Sequence, residues 1–137
     1  MKRSFAIIAG LAIALSAAPA FAEMLTFKAT LDGKSETPPN DSKGTGTADI
    51  QIDTDAKIIA WTIKSSGLTG PATMAHFHGP ADPGAKAPPE IDISKMIEKG
   101  TSPLTDAQLA DFKAGKIYVN IHTAKFPDGE IRGQVTQ

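Results

Sequence analysis

Hydrophobic and polar residues alternate along most of the chain after residue 22, and clusters of glycine and proline separate the alternating stretches. In MLTFKATL, residues 24–31, Leu25, Phe27 and Leu31 alternate with threonine and lysine. Such alternation is typical of a β-strand with one buried face. TGTADIQI and KIIAWTIK continue the pattern on either side of DTDA, residues 53–56, which predicts a hairpin.

Further stretches with the same period lie in the second half of the chain. TMAHFHG, residues 73–79, places Ala75 and Phe77 on one face and His76 and His78 on the other. KIYVNIHT and EIRGQVT flank the turn residues Pro-Asp-Gly at 127–129 and predict an antiparallel hairpin. A brief alternation in IDISKMI, residues 91–97, completes a set of about seven strands.

One short accessory helix is predicted near residues 105–114. Thr105 is a suitable N-cap, and Gln108 three residues later completes a capping box. Gly115 can end the helix in the left-handed conformation, while Leu109 and Phe112 offer one apolar face. About seven short strands and a single small helix predict an all-β antiparallel sandwich.

The first 22 residues have a different character, typical of a secretory signal peptide. Lys2 and Arg3 precede an apolar run, and Ala-Phe-Ala at 20–22 resembles a cleavage site. The run is shorter than the ~20 residues of a membrane-spanning helix, although a retained N-terminal anchor is the alternative. We expect a periplasmic or secreted protein whose mature part, residues 23–137, is one domain without a membrane span.

Composition narrows the chemistry of this mature part. Of 14 basic residues two lie in the first 22, which leaves 12 basic against 15 acidic residues and no basic stripe. This argues against nucleic acid as a partner. The chain has no cysteine, so thiol catalysis and thiolate ligands are excluded, and a bound metal would have nitrogen and oxygen ligands. No nucleophile motif is present, and catalysis, if any, would depend on a metal.

The three histidines of the chain are the candidate ligands. His76 and His78 lie on one face of their strand, a little under ~7 Å apart. Alternation with Val119 and Ile121 places His122 on the non-core face of its own strand. If the two strands are neighbours, three imidazoles meet on one patch, and they suit one copper or zinc ion.

Other polar side chains are predicted around this patch. Tyr118, Asn120, Glu130 and Arg132 share the non-core face, and Glu36 lies in the loop at 32–44. They are candidates for orienting the histidines, and Glu36 or Glu130 for supplying a further ligand. In the alternative interpretation the histidines hydrogen-bond to the covering loops, and Glu130 and Arg132 form an ordinary exposed ion pair.

Four separated blocks of the sequence resemble the signature blocks of the CHRD domain, which is named for chordin. They are ETPP at 36–39, AHFHGP at 75–80, YVNIHT at 118–123 and GEIRGQ at 129–134. The blocks follow the order of the family and span essentially all of residues 23–137. The resemblance implies an immunoglobulin-like or Cu-Zn-dismutase-like sandwich.

A weaker likeness is to copper–zinc superoxide dismutase, in which His76, His78, His122 and Arg132 would have counterparts. The chain lacks the further histidines and the disulfide of that family, which argues against dismutase activity but not against a simple metal site. The favoured hypothesis is therefore an exported CHRD-domain protein that binds one Cu or Zn ion. The alternative is a non-catalytic adhesion or protein-interaction module that uses the loops at 32–44 and 79–90.

Overall fold

The computed structural model describes residues 23–137 as eight strands and one helix. The predicted signal peptide, residues 1–22, lies outside the described residues. The strands are β1 (Met24–Asp32), β2 (Thr45–Asp53), β3 (Ile58–Ser66), β4 (Ala72–His78), β5 (Pro89–Asp92), β6 (Lys99–Pro103), β7 (Tyr118–Thr123) and β8 (Ile131–Gln134), and helix α1 (Asp106–Lys113) lies between β6 and β7.

The strands form one antiparallel sheet in the order β5-β4-β7-β8-β1-β2-β3-β6. The sheet folds over on itself, since Trp61 of β3 and Phe77 of β4 meet with ring centroids 5.9 Å apart. The predicted all-β antiparallel sandwich with one short helix is confirmed, as a sheet that nearly closes into a barrel. Both predicted hairpins, β2–β3 and β7–β8, are also confirmed.

The eighth strand, β6, was not predicted, because its sequence KGTSP shows no apolar alternation. It pairs with β3, where Gly100 lies opposite Trp61. A side chain at residue 100 would collide with the indole ring, and the indole nitrogen donates a hydrogen bond to the Met96 carbonyl at 2.9 Å. Tertiary packing around one tryptophan therefore forms this edge strand, rather than local propensity.

Helix α1 closes the core with a single aromatic side chain. Phe112 is 1% exposed, and its ring centroid lies 5.8 Å from that of Phe27 and 5.7 Å from that of Phe77. The predicted capping box between Thr105 and Gln108 is present. Within residues 23–137, no helix has the length and apolar character needed to cross a membrane.

Strand β7 is buried on both faces, and the candidate site lies on the face opposite the hydrophobic core. Val119 and Ile121 belong to the hydrophobic core, whereas Asn120 and His122 are buried on the opposite face. The loops at 33–44 and 79–88 cover this second face, and the Thr37 hydroxyl donates to the Gly84 carbonyl between them. The non-core face is therefore an interior polar layer rather than a solvated surface.

Candidate metal centre

The three histidines meet because β4 and β7 are hydrogen-bonded neighbours. In their antiparallel register His76 lies opposite Asn120, and Met74 lies opposite His122. One ring nitrogen from each of the three histidines lies within 4.8 Å of the others. The prediction that the two strands are neighbours and that the imidazoles share one patch is confirmed.

Backbone carbonyls determine the tautomers of two of these rings. The Nδ1 atom of His78 lies 3.0 Å from the Ala87 carbonyl oxygen, and the Nδ1 atom of His122 lies 2.8 Å from that of Pro127. A carbonyl oxygen only accepts hydrogen bonds, so each Nδ1 carries a proton. In the neutral rings both Nε2 atoms then carry a lone pair, and they face Asn120 Oδ1 at 3.0 and 3.1 Å.

His76 presents its other nitrogen to the cluster. Its Nδ1 atom lies 3.2 Å from His122 Nε2, while its Nε2 atom lies 3.8 Å from the carboxylate of Asp92, its partner on β5. Two ligands of a tetrahedral zinc ion with bonds of ~2.0–2.1 Å are roughly 3.3 Å apart. The 3.2 Å spacing between these two nitrogens matches two ligands on one ion, and it also matches an N–H···N hydrogen bond between the rings.

Burial favours the uncharged form of two of the imidazoles, those of His76 and His78. Desolvation lowers the pKa of His76 below its ordinary value, and the neighbouring His122 lowers it further against the opposite effect of Asp92. Desolvation also lowers the pKa of His78, although hydrogen bonds with Ala87 and Asn120 raise it in part. Neutral imidazole is the form that binds a transition metal, and the lowered pKa values of His76 and His78 favour that form.

Asn120 and Glu36 lie behind the histidines. Burial raises the pKa of the Glu36 carboxyl, while the Thr37 backbone, the Arg132 charge and the Asn120 side chain lower it in part. A side chain at Gly129 would collide with both Glu36 and the Asn120 amide nitrogen. The amide nitrogen of Asn120 therefore lies on the Gly129 side, near Glu36, and its oxygen lies on the side of the histidines.

Tyr118 and Arg132 support His78 through stacking. The phenol ring of Tyr118 lies parallel to the imidazole, with an interplanar angle of 3° and centroids 4.7 Å apart. The Arg132 guanidinium lies 3.5 Å from the centroid of the same phenol ring. Its Nη1 atom donates to the Thr37 hydroxyl at 3.2 Å, which ties the stack to the covering loop.

Glu130 has a different environment from the one predicted. It is fully buried, and its carboxylate accepts hydrogen bonds from Ser42 Oγ at 2.6 Å, Thr69 N and Oγ1 at 2.9 Å, and Thr123 Oγ1 at 2.5 Å. Within residues 23–137 no ion pair joins Glu130 to Arg132, and both side chains are buried, so the exposed ion pair of the alternative interpretation is absent. Glu130 instead connects two loops to β7.

Sequence reasoning missed three groups that orient the imidazoles. Asp92 had a detectable signal, since it alternates with the core residues Ile91 and Ile93 and therefore lies on the histidine face of β5. The carbonyls of Ala87 and Pro127 had none, because a loop path decides where a backbone oxygen points. The remaining predicted site residues lie around the cluster, as described above.

A family model described as CHRD domain matches residues 27–135. No curated protein and no solved structure matches the chain.

The Glu130 environment predicts a specific effect on stability at low pH. Desolvation raises the pKa of this carboxyl, but the hydrogen bonds from Ser42, Thr123 and Thr69 together lower it below its ordinary value. A folded-state pKa below the unfolded one stabilises the protein at neutral pH, and this contribution is lost as pH falls through the folded-state pKa. Glu130→Gln should therefore reduce the free energy of unfolding by about 1–3 kcal/mol at neutral pH.

Urea unfolding at several pH values checks this expectation, with Glu98→Gln, an exposed glutamate, as the control. The difference between wild type and Glu130→Gln should narrow as pH falls toward the ordinary glutamate pKa of about 4.3 and below it. If the difference in free energy of unfolding between wild type and Glu130→Gln is the same at every pH, the lowered pKa of Glu130 is contradicted.

Proposed function

The chain belongs to the CHRD domain family, and we propose that it binds one transition-metal ion, copper or zinc, through three histidines. The ligand atoms in this proposal are His76 Nδ1, His78 Nε2 and His122 Nε2. The observation that carries it is the convergence of these three nitrogens, each with its second nitrogen facing a hydrogen-bond acceptor.

The convergence leaves lone pairs available to a cation. With Nδ1 of His78 and His122 hydrogen-bonded to backbone carbonyls, the Nε2 atoms of both rings face the oxygen of Asn120, and His76 Nδ1 lies 3.2 Å from His122 Nε2. A metal ion or a proton among these atoms would interact favourably with all of them. Because burial lowers the pKa of His78, a metal ion is favoured over a proton at neutral pH.

The donor set fits the chemistry of copper and zinc. Both bind neutral imidazole, and metal-bound histidines commonly donate their second N–H to a backbone carbonyl or carboxylate. The Ala87 and Pro127 carbonyls accept in this way from His78 and His122, and the Asp92 carboxylate faces His76 Nε2 at the longer distance of 3.8 Å. Three protein nitrogens leave a coordination position free, on the side of His76, the least buried of the three.

The proposal predicts one metal ion per domain. Elemental analysis of residues 23–137, dialysed with Zn(II) or Cu(II), should give about one ion per chain, and His78→Ala or His122→Ala should abolish this stoichiometric binding. Metal should also raise the melting temperature of the wild type, because it binds only the folded state.

Two controls separate ligand loss from unfolding. Glu98→Gln, an exposed substitution, should retain wild-type stoichiometry. Circular dichroism without added metal should show that the histidine variants remain folded. If the wild type binds less than stoichiometric metal, or if His78→Ala binds as much as the wild type, the metal proposal is wrong and the alternative of an interaction module with structural histidines is favoured.

The lowered pKa values of His76 and His78 predict the pH dependence of binding. A lowered pKa means that these rings are already unprotonated at neutral pH, so protons compete with the metal only on acidification. The Zn(II) affinity from a competition titration should therefore change little between about pH 7 and 8 and fall below about pH 6.5. An increase of about tenfold or more between pH 7 and 8 would contradict this assignment.

We also propose that the domain acts outside the cytoplasm, because the first 22 residues have the composition of a signal peptide. Mass spectrometry of the protein recovered from the periplasmic or secreted fraction should find a chain that begins at Glu23. Recovery of the full-length chain from the cytoplasmic fraction alone would contradict export.

A further inference from the structure

We propose that the histidine site is a copper site that holds Cu(I) as well as Cu(II), with the thioether of Met74 as its additional, soft ligand. This inference rests on the proposed function and specifies the metal and the fourth ligand of the same site. It is derived from the position of Met74 on β4, which the metal-binding proposal does not use.

Strand geometry places Met74 beside the cluster. Met74, His76 and His78 alternate along β4 with the core residues Ala75 and Phe77, so the three side chains lie on the same face. Met74 is also the direct antiparallel partner of His122 on β7. Opposed residues in such a pair have Cβ atoms about 4.5–5.5 Å apart, which brings the thioether within reach of the His122 ring.

An irregularity in the sheet produces this pairing. Ala72 pairs with Thr123 and Met74 with His122, so β4 carries one more residue than β7 across this step. Without the extra residue, Thr73 rather than Met74 would lie opposite His122. Such bulges often change the direction of a side chain next to a functional site. Here the bulge places a sulfur atom, rather than a hydroxyl, next to the imidazoles.

The exposure of Met74 suits a ligand at the open side. Met74 is 40% exposed, whereas His78 and His122 are 8% and 6% exposed. His76, between Met74 and His78 on the same face, is intermediate in burial. An ion entering from solvent therefore meets Met74 and His76 before the two buried rings. The unbranched methionine side chain has three rotatable bonds and can close over the ion after it has entered.

The chemistry of the thioether selects the metal. Thioether sulfur is a soft ligand that favours Cu(I), whereas zinc and Cu(II) are bound well by imidazole alone. Three carboxylates of residues 23–137 lie near the cluster, and each is turned to another partner. Glu130 accepts hydrogen bonds from Ser42 and Thr123. Glu36 lies behind Asn120, and Asp92 lies on the Nε2 side of His76, opposite the Nδ1 atom that faces the cluster. Three imidazoles with one thioether thus form a set that accepts both oxidation states of copper.

Met74→Leu tests this inference, since leucine preserves an apolar side chain and removes the sulfur. Cu(I) affinity is measured anaerobically by competition with a chromophoric chelator such as bicinchoninate, and Zn(II) and Cu(II) affinities are measured in parallel. Met74→Leu should weaken Cu(I) binding by at least roughly tenfold, the smaller end of the losses seen when groups that support a metal site are changed. Zn(II) affinity should stay unchanged.

Met24→Leu and Met96→Leu are matched controls, because both methionines are also exposed, at 56% and 49%. They should leave Cu(I) affinity at the wild-type level. A direct readout is the ¹³C resonance of each methionine ε-methyl group, which Cu(I) does not broaden because it is diamagnetic. The Met74 signal, assigned by its absence in Met74→Leu, should shift on Cu(I) addition and not on Zn(II) addition.

The outcomes distinguish this inference from the proposed function. If the wild type binds Zn(II) and Cu(II) but Met74→Leu binds Cu(I) as tightly as the wild type, the methionine ligand is wrong and the histidine site stands. If Met24→Leu or Met96→Leu loses as much Cu(I) affinity as Met74→Leu, the inference is also overturned. If the wild type binds no metal, both proposals are wrong.

Discussion

The pairing of β4 with β7 is the interaction on which the candidate site depends. Phe77 and Val119 are partners in this pair, and both are fully buried in the hydrophobic core. A shift of one residue in the register between β4 and β7 would turn Phe77 and the other core residues of β4 toward the loops. The same shift would turn the histidines of β4 toward the core. Burial of apolar surface on one face of the pair therefore fixes the positions of the imidazoles on the other.

Hydrogen bonds and stacking stabilise most of the charged groups in the polar layer opposite the core, although Glu36 Oε1 and Arg132 Nη2 are buried without a hydrogen-bond partner among residues 23–137. A buried carboxylate without hydrogen bonds is strongly disfavoured, yet Glu130 accepts four from Ser42, Thr69 and Thr123. Arg132 combines a hydrogen bond to Thr37 with its contact to the Tyr118 ring. These contacts hold the loop at 33–44 over β7. The loop at 79–88 provides the Ala87 carbonyl that faces His78, and the turn between β7 and β8 provides the Pro127 carbonyl that faces His122.

Most of the fold and the location of the site were predictable from local patterns. Period-two alternation and turn residues indicate strands and hairpins, and the same alternation assigned His76, His78 and His122 to the non-core face. Alternation gives the face of a residue but not the direction in which a long side chain turns, which is why Glu130 was expected beside the histidines. The partners of Glu130, Ser42 and Thr69, lie in loops whose paths depend on tertiary packing.

The three imidazoles are not held equally firmly. Ala87 precedes a proline, which restricts its backbone to extended conformations, and Pro127 has a fixed φ, so the carbonyls that orient His78 and His122 belong to stiff backbone. His78 is further held by the Tyr118 ring. His76 has only the exposed carboxylate of Asp92 behind it, at 3.8 Å. In the proposed copper site, two rigid imidazoles and one adaptable imidazole would suit an ion whose preferred coordination changes with its oxidation state, because only the solvent side, where Met74 also lies, would have to rearrange.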